Sequence, residues 1–341
     1  MTLVKAAAAS LLTAILSVAT LGQDDPRHIG SIDFFGYAGL NLDQIRSALP
    51  IHEGDRYPGP VETIESINKA VSAVIGRPPT AVDPVCCDAQ GNYTIYVGLP
   101  GVSIKHTKFN PVPKGKTHFP TQIKELYEQT MDALSASVLQ GNAREDRSKG
   151  YALSINDQGL RAKQLAVRAY AFQHESLIRA VLDSSRDARQ RIVAAYLLGY
   201  ARQSRQQIAY LVRASHDADE TVRNNATRAL GVLGESSPSV AAQIPAGRFI
   251  DMLSSGSWTD RNKAGWVLST LTKSRDPKLL AQLRSEALVS LIEMARWRNA
   301  GHAHNARILL ARIAGVEEER ANQLANAGKV EEIVNALGLK P

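Results

Sequence analysis

The sequence predicts a mainly α-helical protein, an α-solenoid preceded by a small β-α-α-β-β domain of α+β class. Three observations predict it. Four stretches of the C-terminal half share one helical register, and residues 27–99 instead alternate like strands around two short helices. Between them, residues 99–120 carry Pro100, Gly101, Pro111, Pro113, Gly115 and Pro120, too dense a punctuation for helix or sheet.

The shared register is anchored on Asp187, Asp219, Ser257 and Asn299, which lie 32, 38 and 42 residues apart. All four are residue types whose side-chain oxygen accepts from the orphan amides of a helix start. Seven residues on stand Ala194, Ala226, Ala264 and Ala306; eleven on, Leu198, Leu230, Leu268 and Leu310. Fourteen on come Ala201, Leu233, Leu271 and Ile313, so these offsets trace one apolar helix face. Such a period belongs to stacked helix pairs, none of which can bury its apolar face alone. The first helix of each pair falls near 175–184, 205–214, 247–254 and 278–295. Residues 160–172 form a degenerate repeat helix with Ala166, Ala169 and Tyr170 in its apolar slots. Segments 122–139 and 143–155 are expected as a helical hairpin that opens the array, and 317–337 closes it. Small residues at Gly199, Gly231, Ser269 and Ala311 permit close helix packing.

In the N-terminal part, Ile29 to Gly36 alternates as a strand and stops at glycine. Asn41 is placed to cap a helix over 42–49, with Leu42, Ile45, Ala48 and Leu49 on one side. Val61, Ile64, Ile67, Val71 and Val74 give a second helix that ends at Gly76. Strands around 80–86 and 93–98 follow, joined by the turn Asp88-Ala-Gln-Gly-Asn92.

The run Asp219-x-x-Val222-Arg223-x-x-Ala226-x-x-Ala229-Leu230-Gly231, after an aspartate-rich turn, resembles the HEAT-repeat family over roughly residues 140–337. The third and fourth repeats depart from it, with Asp260 and His302 where Val222 stands. The Ile29-x-x-Ile-x-Phe-x-Gly36 opening, Ile45-Arg-x-x-Leu49 and Gly54-Asp55 resemble the polypeptide-transport-associated (POTRA) domain over about seventy residues. That resemblance implies an exported interaction module that binds peptides by adding a strand to a sheet edge. No alternating strands of an outer-membrane barrel follow, so a barrel's transport function is not implied. The expected division is signal peptide 1–22, POTRA-like domain 27–99, linker 100–120 and HEAT-type solenoid 121–341.

Lys5, the uncharged run from Ala6 to Leu21, and small Thr20 and Gly22 have the grammar of a secretory signal cleaved near Gly22–Gln23. No cysteine follows Gly22, which argues against a lipoprotein anchor. No later apolar stretch is long enough to cross a bilayer. A periplasmic or secreted location is expected, with no transmembrane segment in the mature chain.

Net charge is +7, and residues 151–230 hold twelve Lys/Arg against seven Asp/Glu. Such a bias suits a surface for polyanions, acidic proteins or anionic lipid, and more often marks a solvated outer face. Arg191 and Arg223, four residues after Asp187 and Asp219, are expected to pair with them along one helix side. Arg161, Arg168, Arg202 and Arg205 are the candidates for a basic binding face.

The two cysteines, Cys86 and Cys87, are adjacent. Neighbouring α-carbons across a trans peptide lie about 3.8 Å apart, below the usual disulfide range. Either the pair is two thiols, one of them in the core, or it is a strained and labile redox pair. Metal binding is not expected. His302 and His304 diverge on a helix, and His174-Glu175 is a single dyad. Of Trp258, Trp266 and Trp297, Trp266 lies between core-facing Ala264 and Val267, so packing explains part of the set, and no nucleic-acid partner is expected. No phosphate loop, nucleophile elbow or cofactor motif appears. The expected function is therefore a non-enzymatic cell-envelope scaffold that binds a protein or peptide partner. The alternative is an enzyme with its site in the groove between the domains, using Cys86 and Cys87.

Overall fold

A computed structural model describes residues 27–338, apart from His106 and Ala143. The expected signal peptide lies outside the described residues. The chain begins with β1 (Ile29–Phe35), α1 (Leu42–Ala48), α2 (Pro60–Ile75), β2 (Ala81–Val85) and β3 (Tyr93–Gly98). Asn41 accepts from the Gln44 amide and starts α1, Pro60 opens α2, and Gly76 ends it in a left-handed turn. The sheet order is β1-β3-β2, with β3 parallel to β1 and antiparallel to β2. Parallel pairing needs a long connection, and here α1, α2 and β2 together supply it between β1 and β3. They bury Ile45, Ile67 and Val71 on Ile32, Phe34, Ile95 and Val97. The opposite sheet face sends Phe35 and Tyr96 into the core of the helical stack. Every residue of β3 is thus buried, which is why it reads as an unbroken apolar run.

The remainder is a stack of helices. α3 (Thr121–Leu139) leads to a hairpin of β4 (Glu145–Asp146) and β5 (Leu153–Ser154), then to α4 (Gln158–Gln173). Four pairs follow: α5 (Glu175–Ser184) with α6 (Ala188–Leu198), and α7 (Arg205–Ala214) with α8 (Glu220–Ser236). After the short α9 (Pro238–Ala241) come α10 (Gly247–Met252) with α11 (Trp258–Leu271), and α12 (Pro277–Ala295) with α13 (Ala300–Ile313). α14 (Glu318–Asn326) and α15 (Val330–Ala336) close the array. Asp187, Asp219, Ser257 and Asn299 are the N-caps of the four second helices, and all but Ser257 accept a first-turn amide. The alanines and leucines at offsets 7 and 11 are all fully buried. A side chain at Gly231 would meet the Trp266 ring at 3.0 Å, so that glycine sets the approach of α8 to α11. Second helices pack on one another along the stack more closely than first helices do. They therefore form the inner row, toward which a solenoid curves.

Two helical expectations fail. In the expected helix over 143–155, the described residues 144–155 instead form the β4–β5 hairpin, because Asp146 accepts from the amide and hydroxyl of Ser148 and Gly150 turns at φ 72°. α4 turns a different face inward: Leu160, Gln164, Val167 and Ala171 are buried, whereas Ala166 and Ala169 are exposed. Gln164 takes a core position because its Oε1 accepts the Ser154 amide at 2.7 Å. A hydrophobicity count passes over such a residue.

Arg191 and Arg223 are not on a solvated face, and they do not pair with Asp187 and Asp219. Both are buried, and each reaches one repeat ahead. Arg191 grips Asp217 at 2.8 and 2.9 Å, and Arg223 grips Asp260 at 2.9 and 3.0 Å. Arg261 continues the ladder to Glu293 at 3.0 Å. Glu293 in turn accepts from the amides of Gly36 and Ala38 and from Ser103 Oγ, so the ladder ends by gripping the α+β unit.

The connector lies along the stack as an ordered strap. The Lys105 amide bonds Ser254 O, the Asn110 amide bonds His216 O, and Gly115 O accepts from Arg186 beside Ser185. Its contacts recur every five residues on the turns of successive repeats, running against their order. Phe119 then anchors it in the core, its amide bonded to Gln190 Oε1.

Candidate functional site: an arginine-aromatic shelf on α4

The surface between the α+β unit and the fourth repeat is filled. Tyr96 stacks on Trp258 at 4.7 Å, meets Trp297 edge-on at 5.0 Å, and its hydroxyl is hydrogen-bonded to His302 Nδ1 at 2.6 Å. Asp33 of β1 accepts the Arg298 and Asn299 amides at the start of α13, a favourable place for a carboxylate. These side chains occupy the place where the alternative reading sought a groove. The outward groups of β1 are also taken. The Ile32 amide bonds Glu53, Ile32 O accepts from Arg46 and Arg298, and Phe34 O accepts from Trp297 Nε1. Strand addition there would have to displace them. The other edge, β2, is five residues long and carries Pro84, which offers no amide.

Cys86 and Cys87 are joined by a disulfide, with Cys86 buried and Cys87 half-buried. Arg27 Nη1 lies 3.0 Å from Cys86 Sγ and 3.5 Å from Cys87 Sγ. Among the described residues no His/Cys/Asp/Glu cluster could hold a metal ion. His304 is half-buried, and its pKa is lowered by burial and by Arg307 and Arg312.

An open face remains on α4. Leu165, Arg168, Ala169, Phe172 and Gln173 line a shallow basin of about 790 Å³ together with Arg202 from the α6–α7 turn. Leu165, Ala169 and Phe172 follow the spacing i, i+4, i+7 and so share one helix face. Leu165 is 45% exposed and Phe172 36%, both high for large apolar side chains. The Phe172 ring lies beneath two guanidinium groups, Arg168 at 4.4 Å and Arg202 at 5.0 Å. Arg168 also covers Tyr151 at 3.7 Å and donates to Tyr200 O at 3.0 Å, which fixes its position.

Two of the four candidate arginines, Arg168 and Arg202, thus meet in one site. Arg161 is turned away to the hairpin, donating to Ser154 O at 2.9 Å, and Arg205 is exposed in the first turn of α7 outside the basin. Phe172 and Leu165 are the site residues that charge counting passed over. Their seven-residue separation on an amphipathic helix was the available signal.

No family model matches the chain, and no curated protein matches it. Twelve solved chains do match. One is the crystal structure of an engineered protein, 15% identical, covering 64% of this chain and 98% of its own length with a TM-score of 0.37.

The described residues contain no helix long and apolar enough to cross a membrane.

Proposed function

We propose that this protein is an exported, non-enzymatic cell-envelope scaffold, a HEAT-type solenoid with a POTRA-like module, and that it captures a protein partner on the α4 shelf. The observation that carries this reading is the combination of exposed Leu165 and Phe172 with two cations that form no ion pair among the described residues. A partner segment that suits it bears a leucine or aromatic side chain to cover Phe172 and one or two carboxylates to meet Arg168 and Arg202. Arginine and aromatic residues are the types that dominate binding energy at interfaces. Arg168 is held in place before binding, so it loses little conformational freedom when a partner arrives.

Selection from a random peptide library against the whole chain tests it, with Arg168→Glu/Arg202→Glu as the counter-target. The expected winners carry an acidic residue next to a leucine or aromatic, and the double variant does not bind them. Winners without acidic residues, or winners that bind both proteins alike, would overturn the reading.

A further inference from the structure

From Ala89 to Lys124 the chain carries five lysines and no aspartate or glutamate. Four of them, Lys105, Lys108, Lys114 and Lys116, lie on the strap. Lys105 is committed, since its Nζ donates to Glu286 O at 2.8 Å. The other three are exposed and form no ion pair among the described residues.

The strap holds these side chains outward. Residues 112, 114, 116 and 118 are exposed, whereas 113, 115 and 117 are half-buried. The alternation comes from pairing with the stack. Gly115 bridges Ser185 in parallel, and Thr117 Oγ1 accepts from Ser184 Oγ at 2.7 Å. A side chain at Gly115 would meet Ser184 O at 2.5 Å, so a glycine lets the strap lie this close. Pro111 and Pro113 flank Val112 and fix the backbone there before any contact is made.

Two apolar side chains project among the lysines: Val112 is 52% exposed and Phe109 43%. Phe109 rests one side on Arg223, whose guanidinium lies 4.2 Å from the ring centre. Arg186, whose amide bonds Gly115 O, adds an exposed cation beside Lys114 and Lys116. The carboxylates near it in sequence are engaged, Asp183 with Arg213 and Asp187 as the cap of α6. A soluble polyanion would answer the cations and leave Val112 and Phe109 in water. A bilayer with anionic headgroups answers both, because phosphates meet the ammonium groups while the apolar tips enter the interface. Single side chains on an extended edge also fit a fluid surface that conforms to them.

We propose that the outer edge of the strap, from Lys108 to Lys116, is a membrane-surface site that seats the protein on a bilayer bearing anionic phospholipid. It shares no residue with the α4 shelf and needs no movement of the chain.

The test is vesicle sedimentation with residues 23–341, which keep every described residue and omit the apolar run that could itself enter lipid. The vesicles are phosphatidylcholine alone or with an equal part of phosphatidylglycerol. Binding is expected to the mixed vesicles only, and it weakens as salt is added. Lys114→Gln/Lys116→Gln lowers the affinity about thirtyfold, the factor that two lysines carry at an anionic surface. Val112→Trp binds more tightly, and brominated lipid quenches its indole, since tryptophan favours the interface. The three native tryptophans are buried and do not mask that signal. Arg168→Glu/Arg202→Glu on the shelf leaves vesicle binding unchanged. No binding to mixed vesicles overturns the proposal, as does binding that the lysine pair does not affect. An unquenched indole in vesicle-bound Val112→Trp contradicts it too, and so does a loss caused by the shelf variant. Polyphosphate bound through the same lysines by a protein that ignores vesicles would make the partner a soluble polyanion instead.

Discussion

Two surfaces of this protein are built from the same materials and end in opposite states. At the seam between the α+β unit and the fourth repeat, Phe35, Tyr96, Trp258 and Trp297 are buried, and the nearby guanidinium of Arg261 is bonded to a buried carboxylate. On α4, Phe172 and Leu165 face solvent and the guanidinium groups of Arg168 and Arg202 rest on a ring, with no carboxylate among the described residues to meet them. The chain supplies both halves of the first surface and one half of the second. Aromatic and arginine content alone therefore does not mark a binding site; whether the cations already have their anions does.

The comparison breaks most readily at the seam. Trp297→Ala removes a buried ring and its hydrogen bond to Phe34 O, and should cost about 4 kcal/mol of stability by chemical denaturation. Glu293→Gln leaves Arg261 buried without its counter-charge and weakens the grip on Gly36 and Ala38. It should cost about 3 kcal/mol, with faster hydrogen exchange in β1. The exposed pair Arg298–Glu53 at the seam's rim is a control. Glu53→Gln should cost less than about 1 kcal/mol, and less still in high salt. On α4, Phe172→Ala with Arg202→Glu should change stability by no more than about 0.5 kcal/mol.

A pH series sharpens the same contrast. Burial, then the Glu220 charge, raise the Asp83 carboxyl to about 7, against the Trp258 amide that lowers it. A carboxyl raised on folding contributes stability that is fully present below its unfolded value of 3.8 and is lost as pH rises through about 7. Lys263, depressed to about 7, has the opposite slope, with its contribution lost as pH falls from 10.5 through about 7. The two windows meet near pH 7, so the difference between the native chain and Asp83→Asn isolates the seam. The variant should gain on the native chain as pH rises from about 5 to about 8.

The repeat register was legible because caps and small core residues recur at fixed offsets, and their chemistry is local. The partners in the seam were not, since Tyr96 and His302 are 206 residues apart. Even so, the sequence marked the places. Gln190, Asp260 and His302 all depart from the apolar position held by Val222, and they are the strap's anchor, the ladder's acceptor and the seam's hydrogen-bonding imidazole. A polar residue in an apolar slot of a repeat signals a contact outside that repeat. Arg191 and Arg223 were misassigned for the complementary reason: the i, i+4 rule describes an isolated helix, and stacking offers Asp217 and Asp260 at closer, drier positions. The five-residue step of the strap follows from the spacing of repeats in space, which no local pattern in 105–119 encodes.

The most direct measurement is the affinity of a library-selected peptide for the native chain and for Phe172→Ala/Arg202→Glu, with the unfolding midpoint of each recorded alongside. A loss of at least about thirtyfold, near 2 kcal/mol, with an unchanged midpoint is expected of an open shelf. Unchanged affinity would place the partner elsewhere, and a midpoint that falls with affinity would make α4 another closed seam.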